Sequence, residues 1–298
     1  MKTILITAGG TSEPIDNIRS ITNTGTGTLG SLIADEFARR RNVERIVYIH
    51  SKSAVLPKTQ KAVCIEADST LDLQEAVRKA CAEYKPDAII HSMAVSDYTT
   101  GAVVKAEDII RIAQKIAGAA TQDELERLSS EVIEERMRKA STAEELAKAY
   151  EYLPDKPEKK AAAKADKQAE KDSLLKLAKK ADLRDKFNKI PSSAGNPIIL
   201  LEPTPKIIPE LRKLAPEAVI VGFKLLDEVA QDELLNVAKK LMDKNDCDFV
   251  LANDYQTVQA GADSHVGHLM SRSGKVESFT GKAEIAKGIA AAVSAAWK

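Results

Sequence analysis

Asn23 stands directly ahead of a glycine-rich run, TGTGTLG (24–30), with Arg19 four positions before it. A carboxamide donates and accepts hydrogen bonds without carrying charge. Beside a loop that runs into a helix N-terminus, it suits a carboxylate or phosphate guest. Gly25, Gly27 and Gly30 spell G-x-G-x-x-G, a pattern that lets backbone amides approach an anion closely. Lys240 and Lys244 share one face of a helical segment through their i, i+4 spacing, where two ammonium groups repel unless an anion lies between or beyond them. His265 and His268 form H-x-x-H, but an odd spacing on a strand sends the two rings to opposite faces, so no metal site is expected there.

These residues need a frame, and the apolar runs supply one. TILITA (3–8), RIVYIH (45–50), AVCIE (62–66), DAIIHS (87–92), AVIVGF (218–223) and DFVLAND (248–254) are continuously apolar, as parallel strands covered on both faces are. Helical stripes separate them: Leu29, Ile33 and Phe37; Val229, Leu234, Val237, Ala238 and Leu241; Ile285, Ile289 and Val293. The alternation predicts an α/β fold with a doubly wound, mostly parallel, Rossmann-like sheet. Ligands of such sheets bind where the strands' carboxyl ends meet their loops. That rule points to Gly9, Gly10, the stretch Ser92–Tyr98 with Asp97, Phe223 and Asn253-Asp254. Residues 102–186 break the rhythm. They are rich in Ala, Lys and Glu, nearly glycine-free and without an evident strand, and they predict a charged helical insertion within a single domain spanning 1–298.

Lys+Arg and Asp+Glu both total 44 in the 298 residues, so no global charge draws the chain to nucleic acid or to an anionic membrane. No apolar run approaches the roughly 20 residues of a membrane-spanning helix, and ILITA is too short for a leader's apolar core. Cys64, Cys81 and Cys247 are far apart and form no C-x-x-C, which fits reduced, mostly buried thiols and a cytoplasmic location. An NAD(P)-dependent oxidoreductase is one reading of the glycines. A dinucleotide fingerprint, however, starts at the end of the first strand, and here it starts seventeen residues after Ala8. The second strand also ends in YIHSK, with no carboxylate for a ribose.

Taken in order, ITAGGTSEPIDNIRSITN (6–23), TGTGTLG (24–30), HSMAVSDYT (91–99), KIPSS (189–193), PTPKII (203–208), VGFKLL (221–226) and DFVLAND (248–254) resemble the phosphopantothenate–cysteine ligases. The likeness is to the stand-alone bacterial form of 4'-phosphopantothenoylcysteine synthetase. It implies a ligase of coenzyme A biosynthesis that joins 4'-phosphopantothenate to L-cysteine with CTP as co-substrate, Mg2+ as helper and a homodimer as the working unit. The carboxylate would attack the α-phosphate of CTP, and the cysteine amine would then displace CMP from the acyl-cytidylate.

The resemblance also implies roles. Asn23 would hold the reacting carboxylate, with Arg19 beside it and Lys189 neutralising phosphate charge. Gly9, Gly10, Asp97, the loop Thr204, Pro205, Lys206 and Ile207, and Phe223 would meet the nucleotide. Lys240 and Lys244 would face its triphosphate. Relatives carry one or two serines after the asparagine, whereas this chain has Thr24, Gly25, Thr26, Gly27 and Thr28, so Thr26 keeps a hydroxyl and Gly25 loses a contact. A non-catalytic nucleotide-binding regulator of the same fold is the other alternative. The segment 102–186 takes the place of the family's flap and dimer contact.

Overall fold

The computed structural model describes residues 1–105, 190, 197–259, 261 and 263–297. The chain divides into two compact units, one of residues 1–14, 19–99 and 203–298 and one of residues 15–18 and 100–202.

The first unit is built on an eight-stranded sheet. In chain order its strands are β1 (Lys2–Ala8), β4 (Val43–His50), β5 (Ala62–Glu66), β6 (Ala88–His91), β9 (Val219–Leu226), β10 (Phe249–Asp254), β11 (Val266–Ser271) and β12 (Val276–Thr280). A hairpin of β2 (Ser12–Pro14) and β3 (Ser20–Thr22) follows β1, pairing Ser12 with Thr22 and Pro14 with Ser20. Across the sheet the order is β12-β11-β10-β9-β6-β1-β4-β5. The six strands from β10 to β5 are parallel, and β11 and β12 each run antiparallel to their neighbour. The chain winds outward from β1 through β4 to β5, then returns to β1's other side and winds outward again through β6, β9 and β10. β1 and β6 therefore flank the point where the winding direction reverses.

Side-chain alternation along β1 shows why both faces are covered. Ile4, Ile6 and Ala8 enter one buried cluster with helix α1 (Thr28–Ala38) and helix α6 (Lys282–Ala296), through Ile33, Phe37, Ile285, Ile289 and Val293. Leu5 enters the other cluster, with α2 (Thr70–Tyr84), α3 (Ile208–Leu214) and α4 (Gln231–Asn245), through Leu73, Val77, Leu211, Leu234 and Met242. Each such side chain, fully buried, contributes about 1.5–3 kcal/mol, so the central strands are held from both sides. The short helix α5 (Tyr255–Gln259) follows β10.

The six expected parallel strands are all present. Those not expected are β2, β3, β11 and β12, and in the second unit β7 (Tyr98–Lys105) and β8 (Pro197–Pro203), which form a separate two-stranded sheet. Ala102–Lys105 are thus strand rather than the start of a helical insertion, and the rest of that expected insertion lies outside the described residues. Within the second unit Asp16 ties two distant stretches, its carboxylate accepting from the amides of Ile18 at 2.8 Å and Ile190 at 3.0 Å. Of the three thiols, Cys81 and Cys247 are buried as expected, and Cys64 is exposed because AVCIE is the edge strand of the sheet.

His91 ends β6 with its Nδ1 2.8 Å from the Thr7 hydroxyl, and burial lowers its pKa from the usual value to about 4. His265 is also lowered to about 4, first by burial and then by the charge of Lys282. Unfolded histidines titrate near ~6.5, so below that pH the unfolded chain binds more protons than the folded one. Stability is therefore full above about pH 6.5 and falls toward pH 4, by at most ~1.4 kcal/mol per pH unit for each histidine. Urea unfolding across that range should show the loss, and His91→Gln should reduce its slope; a slope unaltered by the substitution would exclude His91 as its source.

Candidate active site

The loops that leave β1 and β6 are joined beyond the strands themselves. Gly10 and Ala94 form a parallel bridge. The amide of Ala94 donates to Gly9 O at 2.9 Å, and the amide of Thr11 donates to Ala94 O at 3.0 Å. Onto this junction the chain brings Asn23 directly from β3. The Asn23 amide donates to Thr11 O at 3.0 Å, and its Nδ2 donates to Ala94 O, also at 3.0 Å. Because a carbonyl oxygen only accepts, the second bond fixes which side of the carboxamide is nitrogen. One N–H and the Oδ1 of Asn23 are not used by that bond.

A third loop joins the same place. Ser96 and Asp97 follow β6, and the Ser96 amide donates to Thr11 Oγ1 at 2.9 Å. Thr204, just after β8, donates its hydroxyl to Ser96 O at 2.5 Å and its amide to Asp97 O at 3.1 Å. Lys206 makes an ion pair with the Asp97 carboxylate, both side chains well exposed at 56% and 72%. Gly9, Gly10, Asn23, Asp97, Thr204, Pro205 and Lys206 are thus gathered at the reversal point of the sheet. Ile207 belongs to the loop but is buried in the core beside Leu211, so its side chain anchors the loop from below.

The glycines of 24–30 do something other than open space for a ligand. A Cβ on Gly25 would lie 2.4 Å from Gly9 O, one on Gly10 would lie 2.3 Å from Asn23 O, and one on Gly30 would lie 2.6 Å from Ala8 Cβ. The protein itself occupies those places. Gly10 and Gly25 are glycine because two loops press backbone to backbone, and Gly30 because α1 lies against the Ala8 side chain, so the Cβ faces of these residues meet protein. Gly27 caps α1 at φ +72, a conformation that other residues reach only with strain. The helix then opens with no side-chain cap and no acidic residue in its first turn, which leaves its positive end suited to an anion. The dinucleotide alternative loses its geometry here. In that fold the loop after β1 turns directly into its helix beneath the pyrophosphate, whereas in this chain a hairpin intervenes and the loop after β1 is bonded to Ala94 and to Asn23.

Other expected residues are placed as follows. Arg19 and Asn23 stand at opposite ends of β3, about 13 Å of extended chain apart. Phe223 is half-buried and packs with the α1–α6 cluster; one residue past the Gly222–His91 pair, it sits level with Ser92. Lys240 and Lys244 are not brought to this cluster. They are exposed in the last turns of α4, which runs back from the C-terminal edge of the sheet toward the start of β10. Lys189 lies outside the described residues. Asn253 and His265 pair at 3.1 Å through Nδ2 and Nε2 on the same edge, away from the junction.

Sequence reasoning passed over Thr11, Ala94 and Ser96, which carry the junction. Ala94 and Ser96 lie in a stretch marked for its position at a strand end, but a residue that acts through backbone groups leaves no side-chain signature. Thr11 lies in a segment read only for its neighbours.

A family model described as the DNA/pantothenate metabolism flavoprotein C-terminal domain matches residues 1–162 and 129–296. The coenzyme A biosynthesis bifunctional protein CoaBC of Thermococcus kodakarensis is 26% identical over 253 residues, 85% of this chain and 41% of that protein. The CoaBC protein of Methanocaldococcus jannaschii is 32% identical over 99 residues, 33% of this chain and 24% of that protein. The chain thus spans less than half the length of these curated relatives. Among solved structures, the DNA/pantothenate metabolism flavoprotein from Streptococcus pneumoniae aligns at a TM-score of 0.68 with 26% identity over 99% of both chains. A Cab2 mutant in complex with phosphopantothenate-cysteine shares the fold at a TM-score of 0.57, with 16% identity over 99% of this chain and 87% of that one. With the family model matched along nearly all of its length, the chain belongs to the family of the DNA/pantothenate metabolism flavoprotein C-terminal domain.

Proposed function

We propose that the chain is a phosphopantothenate–cysteine ligase that activates the carboxylate of 4'-phosphopantothenate with CTP and passes the acyl group to L-cysteine. The observation that carries this reading is the meeting of Asn23 with the Ser96–Asp97 and Thr204–Lys206 loops at one end of the β1–β6 junction. In the first step a carboxylate oxygen attacks the α-phosphorus and pyrophosphate leaves. In the second the cysteine amine attacks the acyl carbon, CMP leaves with its phosphate oxygen, and the amine gives up a proton.

Both steps ask the protein mainly to hold partners in line and to meet charge on oxygen. The N–H of Asn23 not given to Ala94 is available to the acyl oxygen, and the uncapped start of α1 supports phosphate beside it. Arg19 and Lys189 would supply cationic charge to the same anions, as the family resemblance implies. Lys206 and Asp97 pair with each other in a solvent-exposed place, where such pairs contribute at most about 1 kcal/mol. A nucleotide can therefore take the ammonium with a phosphate and the carboxylate with ribose hydroxyls at little cost, while Phe223 offers an apolar flank. Lys240 and Lys244 have no part in this arrangement within one chain. Among the described residues no group of three His, Cys, Asp or Glu side chains is gathered around a cation position. Mg2+ in this reading accordingly enters as the nucleotide's complex, held by phosphate oxygens and water. A homodimer and a cytoplasmic location belong to the same reading.

Incubation with phosphopantothenate, cysteine, Mg2+ and CTP should yield pyrophosphate, CMP and phosphopantothenoyl-cysteine, with ATP as the comparison. Pyrophosphate absent with both nucleotides would sink the ligase reading, and tight NADPH binding by fluorescence would restore the oxidoreductase. Asn23→Asp replaces a donor by an acceptor against Ala94 O and sets a negative charge beside the reacting carboxylate. Its kcat should fall by about 100-fold or more with the fold intact by circular dichroism; normal turnover would remove Asn23 from the chemistry.

A further inference from the structure

Glu13 is only 2% exposed although it belongs to a short hairpin beside the sheet. A carboxylate taken out of water needs donors, and Glu13 has two from one residue. Its Oε1 accepts from the Thr70 amide at 2.8 Å and from the Thr70 hydroxyl at 2.6 Å. Thr70 opens α2, an end that favours negative charge. That helix, however, is already capped, since Ser69 accepts from the Asp72 amide and Asp72 accepts from the Ser69 amide. That capping box serves the Asp72 amide, and Glu13 takes the Thr70 amide, a separate open donor of the same helix end.

Thr70 also stands against the segment that leads into the site. Its hydroxyl oxygen lies 3.5 Å from the Thr11 hydroxyl oxygen, and Thr11 Oγ1 accepts from the Ser96 amide at 2.9 Å. Each hydroxyl has one proton. Thr70 directs its own to Glu13 at 2.6 Å, while Thr11 Oγ1 serves as acceptor toward both the Thr70 hydroxyl and the Ser96 N–H. Glu13, Thr70 and Thr11 are all buried, so they form one polar cluster that ties the segment 11–13 to the start of α2. Thr11 is also the residue whose carbonyl takes the Asn23 amide and whose amide holds Ala94.

We propose that Glu13 is a positioning residue. Its buried carboxylate pins the segment 11–13 to the first residue of α2, and through Thr11 it holds Asn23 and the Ser96–Asp97 backbone in the register that the reaction uses. This rests on the ligase reading of the site.

The test is pyrophosphate release from phosphopantothenate and MgCTP by the full chain and by Glu13→Ala, Glu13→Gln, Asn23→Ala and the Glu13→Ala/Asn23→Ala pair. Glu13→Ala should lower kcat by about 30-fold or more, with the KM for phosphopantothenate moving less than about threefold. Glu13→Gln, whose amide oxygen can still accept from both Thr70 donors, should recover to within about fivefold of the parent chain. In the Asn23→Ala background Glu13→Ala should cost clearly less than in the parent chain, because the part of its effect that runs through Asn23 is gone. Equal losses in both backgrounds, or a Glu13→Gln chain as slow as Glu13→Ala, overturn the proposal. Should Glu13→Ala fail to fold, Thr11→Val keeps the shape, removes the hydroxyl and carries the same expectations. If the parent chain releases no pyrophosphate, the ligase reading fails by itself. The positioning claim is then read from amide hydrogen exchange, where Glu13→Ala should speed Asn23 and Ser96 by about tenfold relative to Ile6 and Ile90. Unchanged exchange at those two amides overturns it as well.

Discussion

The peptide groups of Thr11 hold the loops of this protein in register. One N–H and one C=O, both beside the end of the central strand, bond to Ala94 and Asn23, and the other site loops follow from those two bonds. Backbone groups taken out of water must find partners, and here the partners lie in other loops. A loop placed by its neighbours' main chains has few ways to drift, because moving it breaks several bonds together. Asn23 accordingly reaches its place through its own backbone as well as through its carboxamide.

The sheet beneath supplies the reference frame. β1 is buried from both sides, with Ile4 and Ile6 facing one helical layer and Leu5 the other, so its end is a fixed point from which the loops depart. The same winding is used by dinucleotide-binding proteins, yet the use of the crevice differs. Where such proteins leave room for a pyrophosphate after the first strand, this chain puts its own backbone there, and its glycines make that contact possible. Asn23, Asp97 and Lys206 stand at the rim of that crevice instead of on its floor.

Most of the frame was legible in the sequence because parallel strands buried on both faces are written as unbroken apolar runs. β11 and β12 escaped because they finish the sheet in antiparallel fashion. β12, as VESFT, is partly buried only at Val276 and Phe279 and has no continuous apolar run. β2 and β3, three residues each, are too short for any period to register. Within the site, Asn23 and Asp97 could be singled out because their side chains face outward and their neighbours form rare combinations. Glu13 could not. A lone carboxylate in the sequence looks like any other, and its value depends on a threonine from the start of a helix far along the chain. Lys240 and Lys244 pose the opposite case. Their spacing is sound chemistry, but the direction in which α4 runs carries them away from the loops. The exposure of Cys64 was not legible, because an apolar run does not say whether its strand lies inside the sheet or at the edge.

The partnership of β6 with β9 has a consequence for how the molecule is made. Ile89 is laid beside Ile220, Ile90 beside Val221, and the chain between them includes nearly all of the second unit. Closing so long a connection is slow compared with the local pairings of β1, β4, β5 and β6. A chain leaving the ribosome can therefore assemble the first four strands while β9 is still unmade, with one side of β6 open as an unpaired parallel edge. The loop that carries Thr204 arrives only with the later segments. The rim where Asn23 meets Thr204 is consequently among the last parts of the protein to exist, and a nascent chain holds Asn23 in place before that rim is complete.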